Sequence, residues 1–445
     1  MRVTTPPSYE DLLAKVVGNP DRFLEIVSAP IATDSGYLHW DKLRQLDPPN
    51  GFSHEEWWFA VKWGRQHALR SLPLTDAAGH HFAYSQTDVI LRSLRHVDQR
   101  CSGEIAMPEV VTADGQARQH YLVNSLMEEA IRSSQLEGAT TSRRVAKELL
   151  RSGREPEDRS ERMILNNYRA LQYMREVGSS LDPDTVLQLH RILTEGTLDD
   201  PSAAGRLQAP KDERVAVYDR QTDELLHQPP PADQLPARLQ ALCDFANEPD
   251  DSEPFIHPVV RAILLHFWLA YDHPFEDGNG RTARALFYWY MRTRGYWLVE
   301  YLTVSRILAD APAKYSKAFL QTETDAGDTT YFLHYQLQVI ERAIAELHSY
   351  LGRKAKEIRD VERLMQAGSA EFNHRQLALL SHAIRHPDQI YTFRTHSSSH
   401  TVTHETARND LLPLVEKGLL IRHRIGRQHT FTPDPRLSDR LKKAN

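Results

Sequence analysis

Residues 272–284 read DHPFEDGNGRTAR. A histidine, carboxylates, two glycines around an asparagine and two arginines three positions apart share one short segment. Each of these residue types is costly to bury and useful around a phosphate. GNGRTA satisfies G-x-G-x-x-A, and Glu300 lies about 20 residues on, so a dinucleotide fingerprint has to be considered. That fingerprint must follow a β-strand, because the pyrophosphate sits where a strand turns into a helix. Here the preceding segment is PVVRAILLHFWLAY, too long for a strand and apolar on nearly all sides, as a buried central helix would be. A P-loop fails as well, since G-x-x-x-x-G-K-[ST] does not occur. What remains is helix, loop, helix, with the chemistry on the loop.

In that arrangement Gly278 and Gly280 let the backbone turn tightly and aim its N–H groups at one spot. A helix starting near Arg281 adds its positive end, which makes an anion site. Arg281 and Arg284 project from neighbouring positions of that first turn. Two guanidiniums and a backbone nest suit a chain of phosphates better than one carboxylate. Asp277 would repel phosphate directly but attract a Mg²⁺ that bridges phosphate oxygens. His273 is the proton acceptor, with a reference pKa near ~6.5. A zinc site from His257, His266 and His273 is disfavoured, because spacings of nine and seven do not share one helical face.

Outward from the loop, most of the chain reads as helix: 120–136, 143–151, 160–176, 183–196, 234–247, 258–271, 281–294 and most of 304–365. DERVAVYDRQTDELLHQPPP at 212–231 differs. Alternating Val215 and Val217, a polar turn, then Leu225 and Leu226 predict a β-hairpin closed by three prolines. Residues 373–445 change character again, with 12 Lys and Arg against 6 Asp and Glu and eight histidines. Helix, polar turn, helix, then LLIRHRIGRQHTFTP, with a turn at Ile425–Gly426, resembles a winged helix-turn-helix domain. Arg408 and Asn409 fall on its recognition helix, which makes DNA a candidate partner.

HPFEDGNGRTAR matches, at every fixed position, the Fic family signature HPFx[DE]GNGRxxR. The resemblance covers roughly 120–300, and the hairpin ending in HQPPP lies where Fic proteins carry theirs. It implies a mainly α fold: a Fic-type helical core with a small β-hairpin flap, followed here by the winged helix. It also implies transfer of AMP from ATP to a Ser, Thr or Tyr hydroxyl of a protein. His273 would be the base, Asp277 would hold Mg²⁺, and Asn279 would touch the α-phosphate in the nest of Gly278 and Gly280. Arg281 would steady the β-phosphate and Arg284 the γ-phosphate, with Phe275 anchoring the loop. Upstream, IRSSQLEGAT at 131–140 resembles the inhibitory motif [ST]xxxE[GN], with Ser133, Glu137 and Gly138 in its fixed places. The same residues also read as an ordinary helix end with Gly138 as its C′ residue.

The whole chain has 445 residues, net charge −6, 40% hydrophobic residues and mean hydropathy −0.54. We expect a 1–115 N-terminal helical region, a 116–350 catalytic domain with the inhibitory helix near 120–138, a 351–372 helical linker and a 373–445 winged helix. Cys101 and Cys243 are too few for a disulfide framework. No apolar run is long enough for a bilayer, and MRVTTPPSYEDLL lacks a signal-peptide core, so a cytoplasmic protein is expected. Alternatives stay open: a DNA-binding regulator whose core senses a nucleotide, transfer of another nucleotide, removal of AMP, or action as a homodimer.

Overall fold

The computed structural model describes residues 3–29, 36–102, 115–212, 214–218, 225–367, 371–385, 389–425, 428–437 and 440–441. The chain begins with α1 (Tyr9–Val17), α2 (Pro20–Ser28), a short α3 (Trp40–Leu43) and α4 (His54–Gln66). A hairpin of β1 (Leu69–Thr75) and β2 (His81–Ser85) follows, then α5 (Asp88–Cys101). Next come α6 (Gly115–Leu136), α7 (Arg143–Ser152), α8 (Arg159–Glu176) and α9 (Pro183–Thr194). The flap hairpin is β3 (Val217–Tyr218) and β4 (Leu225–His227), antiparallel. After it run α10 (Leu235–Asn247), α11 (Pro258–Asp272), α12 (Asn279–Thr293), α13 (Val304–Asp310), α14 (Pro312–Thr324) and α15 (Thr330–Ala367). The C-terminal elements are α16 (His374–Arg385), β5 (Tyr391–Thr392), α17 (Phe393–His400), α18 (His404–Glu416), β6 (Leu420–Ile425) and β7 (Gln428–Pro433).

Two compact units emerge: residues 1–105 with 118–347, and residues 106–117 with 348–445. In the first, α11 is buried from Val259 to Asp272 at every position but Ala270, as an apolar run without a polar face requires. α12 is nearly as deeply buried, from Asn279 to Met291. These two helices form the floor on which the 273–278 loop stands. The N-terminal helices bring an aromatic cluster of their own, with Phe52, Trp57, Trp58 and Phe59 buried.

The 1–115 region, expected to be helical, has two further features. Leu72, Leu74, Phe82 and Tyr84 alternate into the core, so β1 and β2 form a hairpin. Ala83 then bonds across to Gly327 and Thr329, at 3.1 and 2.8 Å, so the segment belongs to the same unit as the core.

The second unit has a core of Phe372, Leu380, Leu411, Leu414 and Phe431, among others. Its sheet order is β5-β7-β6, antiparallel throughout. The polar stretch taken as a turn between its helices contains β5 and the additional helix α17, started by a Thr392–Thr395 capping pair. Asp410 of α18 takes bonds from Arg375 and Asn373 beside α16 and from His396 of α17, which fixes the three helices together. Gly426, placed in the wing turn, lies outside the described residues. Among the described residues no helix is long and apolar enough to cross a membrane.

Candidate functional site

The site begins where α11 stops. His273 follows as its C-cap in the left-handed region, φ 45° and ψ 53°, with its N–H on Leu269 O. That turn throws the ring out of the helix axis toward the flap, where His273 Nδ1 lies 3.1 Å from Val215 O. A carbonyl only accepts, so Nδ1 carries the proton and Nε2 keeps its lone pair. Burial pushes the His273 pKa down to about 4; the neighbouring His227 and Arg214 act the same way, against the Val215 carbonyl.

The loop is held from inside. Asn279, 2% exposed, accepts from the Phe275 N–H (2.9 Å) and donates to Phe275 O (2.8 Å). The phosphate contact expected of Asn279 would therefore have to come from its backbone N–H or its second amide hydrogen. Phe275 is fully buried and stacks on His190, ring centroids 3.7 Å apart and planes 5° from parallel. His190 Nδ1 accepts from the Gly205 N–H (3.0 Å), so Nε2 donates to Asp277 O (2.8 Å). Burial pushes His190 down to about 4 as well, so it stands there neutral.

Gly278 has φ +83°, and a Cβ there would meet Thr194 Cγ2 at 2.9 Å. A side chain at this turn is thus excluded twice. Asp277 keeps 39% of its side chain exposed, with Oδ1 on the Gly278 N–H (2.6 Å) and Oδ2 3.2 Å from Arg281.

Both arginines lie inside. Arg281 is fully buried, bonds Leu193 O at 3.0 Å, and leaves Nε without a partner. Arg284, 2% exposed, donates through Nε to Ser133 Oγ (2.9 Å) and through Nη2 to Ser133 O (3.1 Å) and Glu137 Oε1 (2.8 Å). Its Nη1 is buried and unpaired. A methyl group on Gly280 would collide with Glu137 Oε1 and reach 3.0 Å from Arg284 Nη1, so the Glu137 carboxylate lies directly over the glycine nest.

Glu137 gets there by the way α6 ends. Gly138 takes φ +103°, with Gly138 N–H on Gln135 O (3.0 Å) and Ala139 N–H on Ser134 O (3.0 Å). This is a Schellman closure, and it stops the helix with Glu137 projecting. Ile131, Ala139, Ala146, Met163 and Ile164 pack this end against α7 and α8.

On the flap side, Arg214 donates to Asp272 O (2.8 Å), His273 O (3.2 Å) and Pro230 O (2.9 Å), tying the flap's root to the end of α11. His227 closes the other strand onto Tyr271 O at 2.7 Å and Glu323 at 2.7 Å. His190 and Arg214 are residues that the motifs did not reveal, and HQPPP contained His227 without showing its role. Each is a single polar residue in a stretch with no spacing signature. Among the described residues no three His, Cys, Asp or Glu side chains gather into a metal cluster. Arg408 and Asn409 are exposed on α18 of the other unit.

The Fic/DOC family profile matches residues 180–291, from the residues before α9 to near the end of α12. The protein adenylyltransferase Fic of Nematostella vectensis is 32% identical over 127 residues, 28% of this chain and 26% of that protein. The protein adenylyltransferase fic-1 of Caenorhabditis elegans is 33% identical over 113 residues, 25% of this chain and 20% of that protein. The match thus spans about a quarter or less of these curated relatives' length. A solved Fic family protein from Desulfovibrio desulfuricans has TM-score 0.53 at 19% identity, covering 79% of this chain and 98% of that one, a likeness of fold. Over residues 180–291 the chain is thus similar to the Fic/DOC family.

Proposed function

We propose that this chain, through its Fic domain, transfers AMP from ATP to a hydroxyl group of a protein, and that Glu137 restrains the reaction. One observation carries the reading: a neutral His273 with Nε2 free stands on the same loop as a glycine nest flanked by two buried guanidiniums. The names of the relatives matched over this segment support it. The nest and Asn279 take the α-phosphate, Arg281 the β-phosphate and Arg284 the γ-phosphate. His273 Nε2 accepts the target's hydroxyl proton as that oxygen attacks the α-phosphorus. The bond from phosphorus to the bridging oxygen breaks, and pyrophosphate leaves. A pure nucleotide sensor would need the phosphate ligands but no base, so the free Nε2 favours transfer.

Asp277 fits a Mg²⁺ ion, because its half-exposed carboxylate stands at the nest and Mg²⁺ takes few protein ligands beside phosphate oxygens. When bound, the ion would offset phosphate charge. His190 and Arg281 fix where Asp277 stands. With Glu137 on Arg284, the γ-phosphate lacks its partner and ATP lies out of line for attack. The hairpin of β3 and β4 serves as a ledge on which an extended target segment adds as a strand.

We read the second unit as a winged helix. Its order of helix, strand, two helices and a two-stranded wing supports this, with Arg408 and Asn409 on the exposed side of α18 and Arg422 and Arg424 on β6. Duplex DNA is the partner such a surface fits.

The test of the reaction uses ATP labelled at the α- or the γ-phosphate. AMP transfer leaves only the α label on protein. Measured on Glu137→Gly, where the restraint is removed, a γ label on protein, or none, refutes it.

A further inference from the structure

Glu129 lies two turns before Glu137 on α6, and Ser133 stands between them, so the three form one stripe at positions i, i+4 and i+8. Ser133 and Glu137 hold Arg284. Glu129 makes no hydrogen bond to the loop or to Arg284, though its charge reaches Arg284, and it is only 3% exposed. Its Oε2 accepts the Ser305 N–H at 3.1 Å, and its Oε1 accepts the Ser305 hydroxyl. Ser305 opens α13, so a carboxylate from one helix satisfies the first turn of another.

We propose that Glu129 is the positioning residue that sets the height and rotation of α6, and so delivers Ser133 and Glu137 to Arg284. This rests on the inhibitory reading of Glu137. The argument is one of registry. Of the other ties near this end, Glu128 pairs with Arg143 and Lys147 on the next helix, both reached through long side chains that can follow a small slip. The rest are neutral: Asn167 to Ala130 O at 3.1 Å, Ser134 to Met163 O at 3.2 Å, and apolar packing around Ile131. Such contacts tolerate a small slip. A buried carboxylate does not, because away from Ser305 it loses its donors while still shut off from bulk water.

The surroundings sharpen the penalty. Beside Glu129 is a cavity of about 30 Å³, lined by Leu126, Leu171, Met174, Tyr288 and Trp289 among others. It has room for water, but the charged groups on its wall are already engaged, Arg175 with Glu300 and Arg292 with the Met174 and Val177 carbonyls. Burial raises the Glu129 carboxyl above its usual range, against the Ser305 bonds that favour the charged form. Seated on Ser305 the group is satisfied; displaced, it is stranded. Glu129 thereby holds α6 at the register that puts Glu137 on Arg284.

The test uses the full chain, α-labelled ATP and incorporation into the chain itself, in the parent and in the Glu137→Gly background. Glu129→Gln keeps the shape but removes the charge, and Ser305→Ala removes one donor. Each should raise incorporation by about tenfold in the parent, the size of losing a hydrogen bond to a charged group. Neither should raise it in Glu137→Gly, where Arg284 is already free. Amide hydrogen exchange at 121–136 should quicken in both variants.

If incorporation stays level while Glu137→Gly raises it, the registry role is overturned and the inhibitory reading stands. A fall in both backgrounds would make Glu129 a fold-holding residue and also overturn it. Should Glu137→Gly itself bring no gain, the inhibitory reading fails and this inference falls with it.

Discussion

As the proposed base, His273 works only when neutral, and its surroundings set when that is. With the pKa near 4, the ring is uncharged throughout the pH range above about 5. The acid limb of kcat/KM should therefore fall near pH 4, measured on the Glu137→Gly variant, rather than near the unperturbed ~6.5. A limb near 6.5 would mean that the ring is not shielded as the fold places it. His273→Ala should keep ATP binding and lose about 10²–10⁴-fold in transfer rate. His190 acts one step further back. His190→Ala removes both the Phe275 stack and the donor to Asp277 O, so we expect kcat to drop about 10–100-fold with a smaller change in ATP affinity. His190→Gln, which can still offer an N–H, should recover part of it; equal loss in both variants would point to packing alone. At this scale the loop itself was legible, because nine constrained positions leave little freedom. His190 and Arg214 were not, since a lone polar residue says nothing of the carbonyl it will meet 59 to 87 residues away.

Among the elements, the end of α6 joins two readings that the sequence left apart. Gly138 is a C′ glycine, and the same closure aims Glu137 at Arg284. An ordinary helix stop and the proposed inhibitory contact are therefore one structure. Glu137→Gly should raise AMP incorporation by at least about tenfold, with ATP affinity changed less than rate, because misorientation is what is relieved. The Glu137→Gly/Arg284→Ala double variant should lose that gain, read by label on the protein. A gain that survives without Arg284 would place the restraint elsewhere. Long amphipathic helices such as α8 and α9 were readable to within a few residues. α17 was not: FRTHSSSH buries only His396, so it carries no apolar stripe. The β1–β2 hairpin did leave a signal, alternating apolar residues around a turn with Gly79 at φ +91°, but the surrounding helices masked it.

For the molecule as a whole, the proposed AMP transfer and the proposed DNA contact fall to different units. If the 348–445 unit binds duplex DNA through phosphates, affinity should fall steeply with salt, and Arg408→Ala should weaken it and lower the slope of log affinity against log salt by about one. Salt-independent or undetectable binding by the full chain would assign the unit to protein recognition. The proposed reaction uses residues of the first unit, and its most direct test is intact mass after incubation with ATP and Mg²⁺. Glu137→Gly should gain the mass of AMP, and Glu137→Gly/His273→Ala should gain none. No gain in the first, or an equal gain in the second, would contradict AMP transfer by His273.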